Sequence, residues 1–361
     1  MVIEVTGAGG GTPLRDLATR VARYQAVSGR LAGLDDARLT ALLDGATVVG
    51  AGIGGTTAEV VVDGVPVFVK RVPLTDLERR PEHVGGTANL FHLPTFYQYG
   101  VGSAGFGAWR EVAVHAMTTR WVLENRVAGF PILYHWRVLP QPPQPVAAAD
   151  LDSQVAYWEG SAAVRDRLTA IGESSAAVVL FMEHIPETVD SWLTERTARG
   201  GQAAASAYTM VDRGLRSVVD FLRSQGLLHF DAHFRNLLTD GQRVYFADFG
   251  LAVHSGFQLS AAESAFLRRH RDYDRCYTVT HLVTWLVSNL AGVAWGDCYD
   301  YLRDRADGRA VAGLPESAAR IVNRDLDVAV LLGGFFRSLQ QTGKRVPYPA
   351  EELSRALHRL P

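Results

Sequence analysis

The sequence predicts an α+β fold in two lobes, the first rich in strands and the second mainly helical, preceded by a short helical arm. Three observations carry this expectation. A chain of 361 residues with 47% hydrophobic side chains is long enough to bury two cores. Between residues 58 and 71 apolar residues alternate at strand spacing on either side of an Asp63-Gly64 turn. Beyond residue 185, apolar residues recur every three or four positions over long stretches, the period of amphipathic helices. The boundaries that follow are an arm over 1–45, a first lobe over 46–184 and a second over 185–361.

In the arm, Leu14, Leu17, Val21 and Tyr24 and then Leu31, Leu34, Leu39 and Leu42 predict two short helices, which would pack on the first lobe or on a partner chain. Next come Gly50-Ala-Gly52-Ile-Gly54-Gly55, a strand Ala58–Val62, and a strand Val65–Arg71 that carries Lys70. Residues 74–108 form an insertion rich in Gly, Pro, Phe and Tyr with little periodicity. A helix then begins near Trp109, with Trp109, Val112, Ala113, Ala116, Met117 and Trp121 on one face and Glu111 near its start. Strands are expected over Ile132–Val138 and Ala176–Phe181. A second insertion, 139–175, lies between them; it holds a Pro/Ala-rich loop and a short helical excursion over Tyr157–Ile171.

The second lobe opens with a helix Val189–Arg199 and a long one through Tyr208, Val211, Leu215 and Leu222 that ends at Gly226, a residue suited to a left-handed cap. Helices Ala261–His270, Asp272–Leu290, Leu326–Leu339 and Ala350–Leu360 follow, the second apolar enough to be central. Between Gly226 and Ala261 stand His229-Phe-Asp231, then Asn236 five positions on, and Asp248-Phe-Gly250 twelve after that. Short apolar runs and an Asp240-Gly241 turn place these groups at strand ends and turns, where side chains can converge on one cation.

In this order and at this spacing, the motifs resemble the catalytic and metal-binding loops of the protein kinase-like superfamily, and Val67-Phe-Val69-Lys70 resembles the strand that carries that family's phosphate-contacting lysine. The resemblance covers roughly residues 48 to 290. It implies a bilobal kinase-like fold and transfer of the γ-phosphoryl group of ATP, with Mg2+, to a hydroxyl. Asp231 would be the base, Asn236 and Asp248 the magnesium ligands, and Lys70 the phosphate clamp. Gly50, Gly52 and Gly55 would form the phosphate cover, and His233 would touch the transferred group. Phe181–Pro186 would be the hinge between lobes, with Met182 beside the adenine, the Glu183 carbonyl accepting from its amine and the Ile185 N–H donating to its ring. Glu111 is the expected partner of Lys70, with Glu78 and Glu82 as alternatives.

Departures from the family pattern bear on the acceptor. Phe230 stands where an arginine often answers a phosphorylated loop, and His233 stands where protein kinases usually carry lysine and aminoglycoside phosphotransferases commonly carry histidine. No A-P-E follows Gly250. These features favour a hydroxylated small molecule as acceptor, with an atypical Ser/Thr protein kinase as the alternative and a nucleotide-binding pseudokinase as a further one.

A formal net charge of −2 gives no global attraction to nucleic acid or anionic membrane. Cys276 and Cys298 suggest a reducing compartment, and the absence of a leader-like start or long apolar span suggests the cytoplasm.

Overall fold

The computed structural model describes residues 13–52, 55–305 and 313–359, so the glycine-rich amino terminus, Ile53, Gly54 and Leu360 lie outside the described residues. The fold is mixed α+β, and the chain divides into two compact units. Residues 1–185 and 247–263 make the first; residues 186–246 and 264–361 make the second. The segment 247–263, expected with the second lobe, therefore belongs to the first unit.

In the first unit, helix α1 (Pro13–Ala32) has proline at its first position, where the missing N–H costs nothing. Helix α2 (Asp36–Asp44) is capped by the Asp35 carboxylate, which accepts from the Arg38 N–H at 2.8 Å. Five strands follow: β1 (Thr47–Gly52), β2 (Gly55–Val62), β3 (Val65–Leu74), β4 (Leu133–Pro140) and β5 (Ala176–Glu183). They form one antiparallel sheet in the order β1-β2-β3-β5-β4. Helix α1 packs on β4 of the first unit. Its buried stripe is Arg20, Val27 and Leu31, whereas Leu17, Val21 and Tyr24 are only half-buried.

Helix α3 (Ala108–Leu123) lies on the sheet face formed by Phe68, Val72, Leu74, Leu133, Val178, Leu180 and Met182. It is buried on most sides, and Ala116, expected on its apolar face, is exposed. The two insertions pack on one another. Leu93, Tyr97 and Phe106 of the first share a core with Trp158, Val164 and Leu168 of the second. The expected excursion corresponds to α5 (Ala162–Gly172), and a further helix, α4 (Ala148–Tyr157), precedes it, with Glu159 and Gly160 in the left-handed region between them.

In the second unit, strand β6 (Glu187–Thr188) leads into α6 (Val189–Arg199) and α7 (Gly201–Ser224). Gly226 at φ +73° turns the chain out of α7, as its lack of a side chain allows. Strand β7 (Leu227–Leu228), a loop, then β8 (Leu237–Thr239) and β9 (Val244–Phe246) follow, with β6, β8 and β9 forming a small antiparallel sheet. Helix α8 (Ala261–Arg269) begins in the first unit and ends in the second. Helices α9 (Tyr273–Ala291), α10 (Cys298–Arg303), α11 (Glu316–Gln341) and α12 (Ala350–His358) complete the chain, with α9 the apolar centre packed on α7 and α11. Arg216 and Arg324 tie Asp212 of α7 to the buried Asp325 of α11. Cys276 and Cys298 are buried free thiols. No helix among the described residues is long and apolar enough to cross a membrane.

Candidate functional site

The residues singled out in the sequence fall into two clusters, one in each unit. The first is built on β3, whose alternation puts Phe68, Lys70, Val72 and Leu74 on the face that α3 covers. Lys70 thus meets Glu111 from the first turn of α3: its Nζ donates to Glu111 Oε1 at 2.7 Å. It also donates to Asp248 Oδ1 at 2.8 Å. Burial alone would push the Lys70 ammonium down, but the Asp248 and Glu111 carboxylates outweigh it and hold the group above the usual lysine range. Lys70 and Glu111 are almost fully buried, whereas the Asp248 side chain is 43% exposed.

The expected alternatives do not reach the lysine. Glu78 caps α3 through the Ala108 N–H at 2.7 Å and pairs with Arg167 at 2.7 Å, which holds its carboxyl below the usual range despite burial. Glu82 is exposed in a one-turn 3-10 helix.

Asp248 sits at φ +60°, and Gly250 donates back to its Oδ1 at 3.4 Å. The following ring, Phe249, is fully buried against His115 at 4.9 Å and Phe130 at 6.1 Å between centroids, so packing of the phenylalanine fixes the aspartate's backbone. Gly50, Gly52 and Gly55 lie in the β1–β2 hairpin, with Gly52 opposite Gly55 and Gly50 opposite Thr57. Gly55 has φ +120°, and a Cβ there would fall 1.8 Å from the Arg71 carbonyl oxygen of β3. Its lack of a side chain serves the close approach of two backbones.

Glu183 and Ile185 lie where the chain leaves β5. The Glu183 carboxylate is buried and receives Arg20 Nη2 at 2.6 Å, Arg20 Nε at 3.0 Å and the Ile132 N–H at 3.2 Å. Nothing local signals this partnership, because an arginine within an amphipathic helix reads as solvated. Met182 packs in the core beneath α3.

The second cluster is the loop between β7 and β8. Asp231 O accepts from the His233 N–H at 2.9 Å, and His233 O from the Asn236 N–H at 2.8 Å. Asn236 Nδ2 donates to Asp231 O and Oδ2, both at 3.0 Å. With its NH2 group so used, the acceptor end of Asn236 is its amide oxygen. His233 Nε2 lies 3.9 Å from Asp231 Oδ1, and both side chains are partly exposed.

Phe230 occupies φ +65°, a real strain for a bulky residue. Asp274 of α9 holds it there, accepting from the His229 N–H at 2.6 Å and the Phe230 N–H at 2.9 Å. The Phe230 ring is buried against Tyr273 and Phe266. Burial pushes the Asp274 carboxyl up to about 6, against the pull of those two N–H groups. His281, two turns further along α9, accepts from the Phe234 N–H at 3.3 Å. Neither residue was expected, although an aspartate and a histidine seven apart in a helix whose second half is strongly apolar are the kind of signal that marks them.

These groups set an acid sensitivity. Burial pushes His270 down to about 4, and burial, with His233 and Arg235 nearby, pushes His281 down to about 3. Both lose stability as pH falls below 6.5, where the unfolded chain binds protons that the folded one excludes. Asp274 acts oppositely between about 6 and 3.8, since its folded form binds the proton more tightly. Two histidines outweigh one carboxylate, so the urea midpoint is expected to drop steadily from pH 6.5 to 4. His281→Gln should flatten that slope, and a flat wild-type profile refutes the assignment.

Among the described residues no group of three or more His, Cys, Asp or Glu side chains forms a metal cage. Mg2+ commonly binds through one or two carboxylates, substrate phosphates and water. Asp248 and the Asn236 amide oxygen are hard oxygen ligands of the required kind. Compared with models of protein families and with curated proteins, the chain finds no match.

Proposed function

We propose that the protein is a kinase-like phosphotransferase with a bilobal kinase-like fold, moving the γ-phosphoryl group of Mg-ATP to an acceptor hydroxyl. The observation that carries this reading is the Lys70–Glu111–Asp248 set, a lysine in mid-sheet engaged by carboxylates 41 and 178 residues away. A lysine used only as an edge charge would be exposed, and one used only for packing would not need two acids.

In this reading Lys70, oriented by Glu111, binds the phosphates. Asp231 orients the acceptor hydroxyl and takes its proton as oxygen attacks the γ-phosphorus and ADP leaves. The Asn236 amide holds the Asp231 carboxylate in register for that transfer. His233, beside Asp231, donates to the transferred group. Bound Mg2+, held by Asp248 and Asn236, would neutralise phosphate charge. Adenine contacts fall to the backbone at Glu183 and Ile185, and the acceptor is a hydroxylated small molecule.

The test is incubation of the purified chain with γ-labelled ATP and Mg2+, alone, with generic protein acceptors, and with a panel of hydroxylated metabolites and antibiotics. Label on a small molecule is the expected result. Label on protein assigns an atypical protein kinase, and nucleotide binding without transfer to any acceptor assigns a pseudokinase.

A further inference from the structure

We infer that the 74–108 insertion is a built-in clamp that holds the Asp248 segment in its metal-binding conformation, with Gln98 as its principal positioning residue. The inference rests on the phosphotransferase reading and says how that site is kept in order. Segment 248–263 is gripped at three points along its length. Nearest to Asp248, the buried Gln98 amide donates to the Leu251 carbonyl, and Gly105, at φ +73°, lies so close that a Cβ would fall 2.4 Å from the Gly250 carbonyl oxygen.

Further on, Thr87 and Gln258 bond reciprocally: the Thr87 N–H donates to Gln258 Oε1 at 3.0 Å, and the Gln258 N–H to Thr87 Oγ1 at 2.9 Å. At the far end, buried Arg110 spans the Thr87 carbonyl at 2.8 Å and Glu263 at 2.7 Å. The clamp is itself anchored, since Glu78 bonds both Arg167 of α5 and the first N–H of α3, the helix that carries Glu111.

The physical consequence is that the segment's order is supplied by neutral amide bonds and one buried ion pair present in the resting chain. No added charge is required to create it, which agrees with Phe230 standing where a phosphate-answering arginine would be.

The experiment measures binding of ATP with Mg2+ and of ATP in EDTA, together with amide exchange over residues 248–260, on the full chain. Gln98→Leu is expected to weaken Mg-ATP binding about tenfold, leave Mg-free ATP binding unchanged, and speed exchange in the segment but not in β5. Should Gln98→Leu fail to fold, Gln258→Ala at an exposed position carries the test, with the same pattern and a smaller loss. Faster exchange without a magnesium-specific loss makes the insertion mere packing and overturns the clamp. Unchanged exchange overturns it too. Asp248→Ala is the control: if it leaves Mg-dependent binding intact, the functional reading has failed and the clamp falls with it, whereas a loss there with none in Gln98→Leu sinks the clamp alone.

Discussion

Asp231→Asn is expected to lower phosphoryl turnover by about 10²–10⁴-fold, the range general-base catalysis supplies, with nucleotide binding and thermal stability near wild type. The substitution keeps the side chain's shape. Its carbonyl oxygen can still accept from Asn236 Nδ2, now 3.0 Å from Asp231 Oδ2, and the backbone bonds from His233 and Asn236 to this loop are untouched. What is lost is the basic lone pair beside His233. Steady-state kinetics with a confirmed acceptor, plus equilibrium binding of ATP, separate the two effects. Turnover within about tenfold of wild type would remove Asp231 from the base role.

Lys70→Met should destabilise the protein by about 3–5 kcal/mol, because it strips the buried Glu111 of its ammonium partner and leaves only the His115 ring, at 3.9 Å, beside it. Asp248 contributes less to that loss, since its side chain is 43% exposed and solvent screens it. The double variant Lys70→Met/Glu111→Leu should recover much of the stability, as the isolated charge is gone, while phosphoryl transfer stays abolished. Urea denaturation of the four forms measures the coupling. A single-variant cost below about 1 kcal/mol would mean that water reaches the pair and that the lysine is not buried as described. The linkage has a definite sign. With its folded pKa raised, Lys70 contributes fully below the ordinary lysine value of 10.5, and that stability fades as pH rises beyond it.

Much of the local architecture was legible beforehand because it depends on short-range periodicity. The 189–199 helix, the β2–β3 hairpin and the left-handed turn at Gly226 follow from apolar spacing and glycine placement alone. Errors gathered where burial and side-chain pairing decide. Arg20 is a core residue because Glu183 meets it, and a second helix precedes the expected excursion because the two insertions share a core. Segment 247–263 joined the first unit because the insertion holds it, through contacts between residues more than 150 positions apart.

By itself, the sequence determined which chemical groups this protein owns and how far apart they stand along the chain: one lysine on a strand, two aspartates and an asparagine at turns. Only the tertiary structure chose Glu111 over Glu78 and Glu82, placed Asp274 under the strained Phe230, and bonded the 74–108 insertion to the segment after Asp248. The reason is physical. Periodicity is written in neighbouring residues, whereas the partner of a buried charge is whichever opposite charge or dipole the packed chain delivers within about 3 Å, and nothing local encodes that meeting.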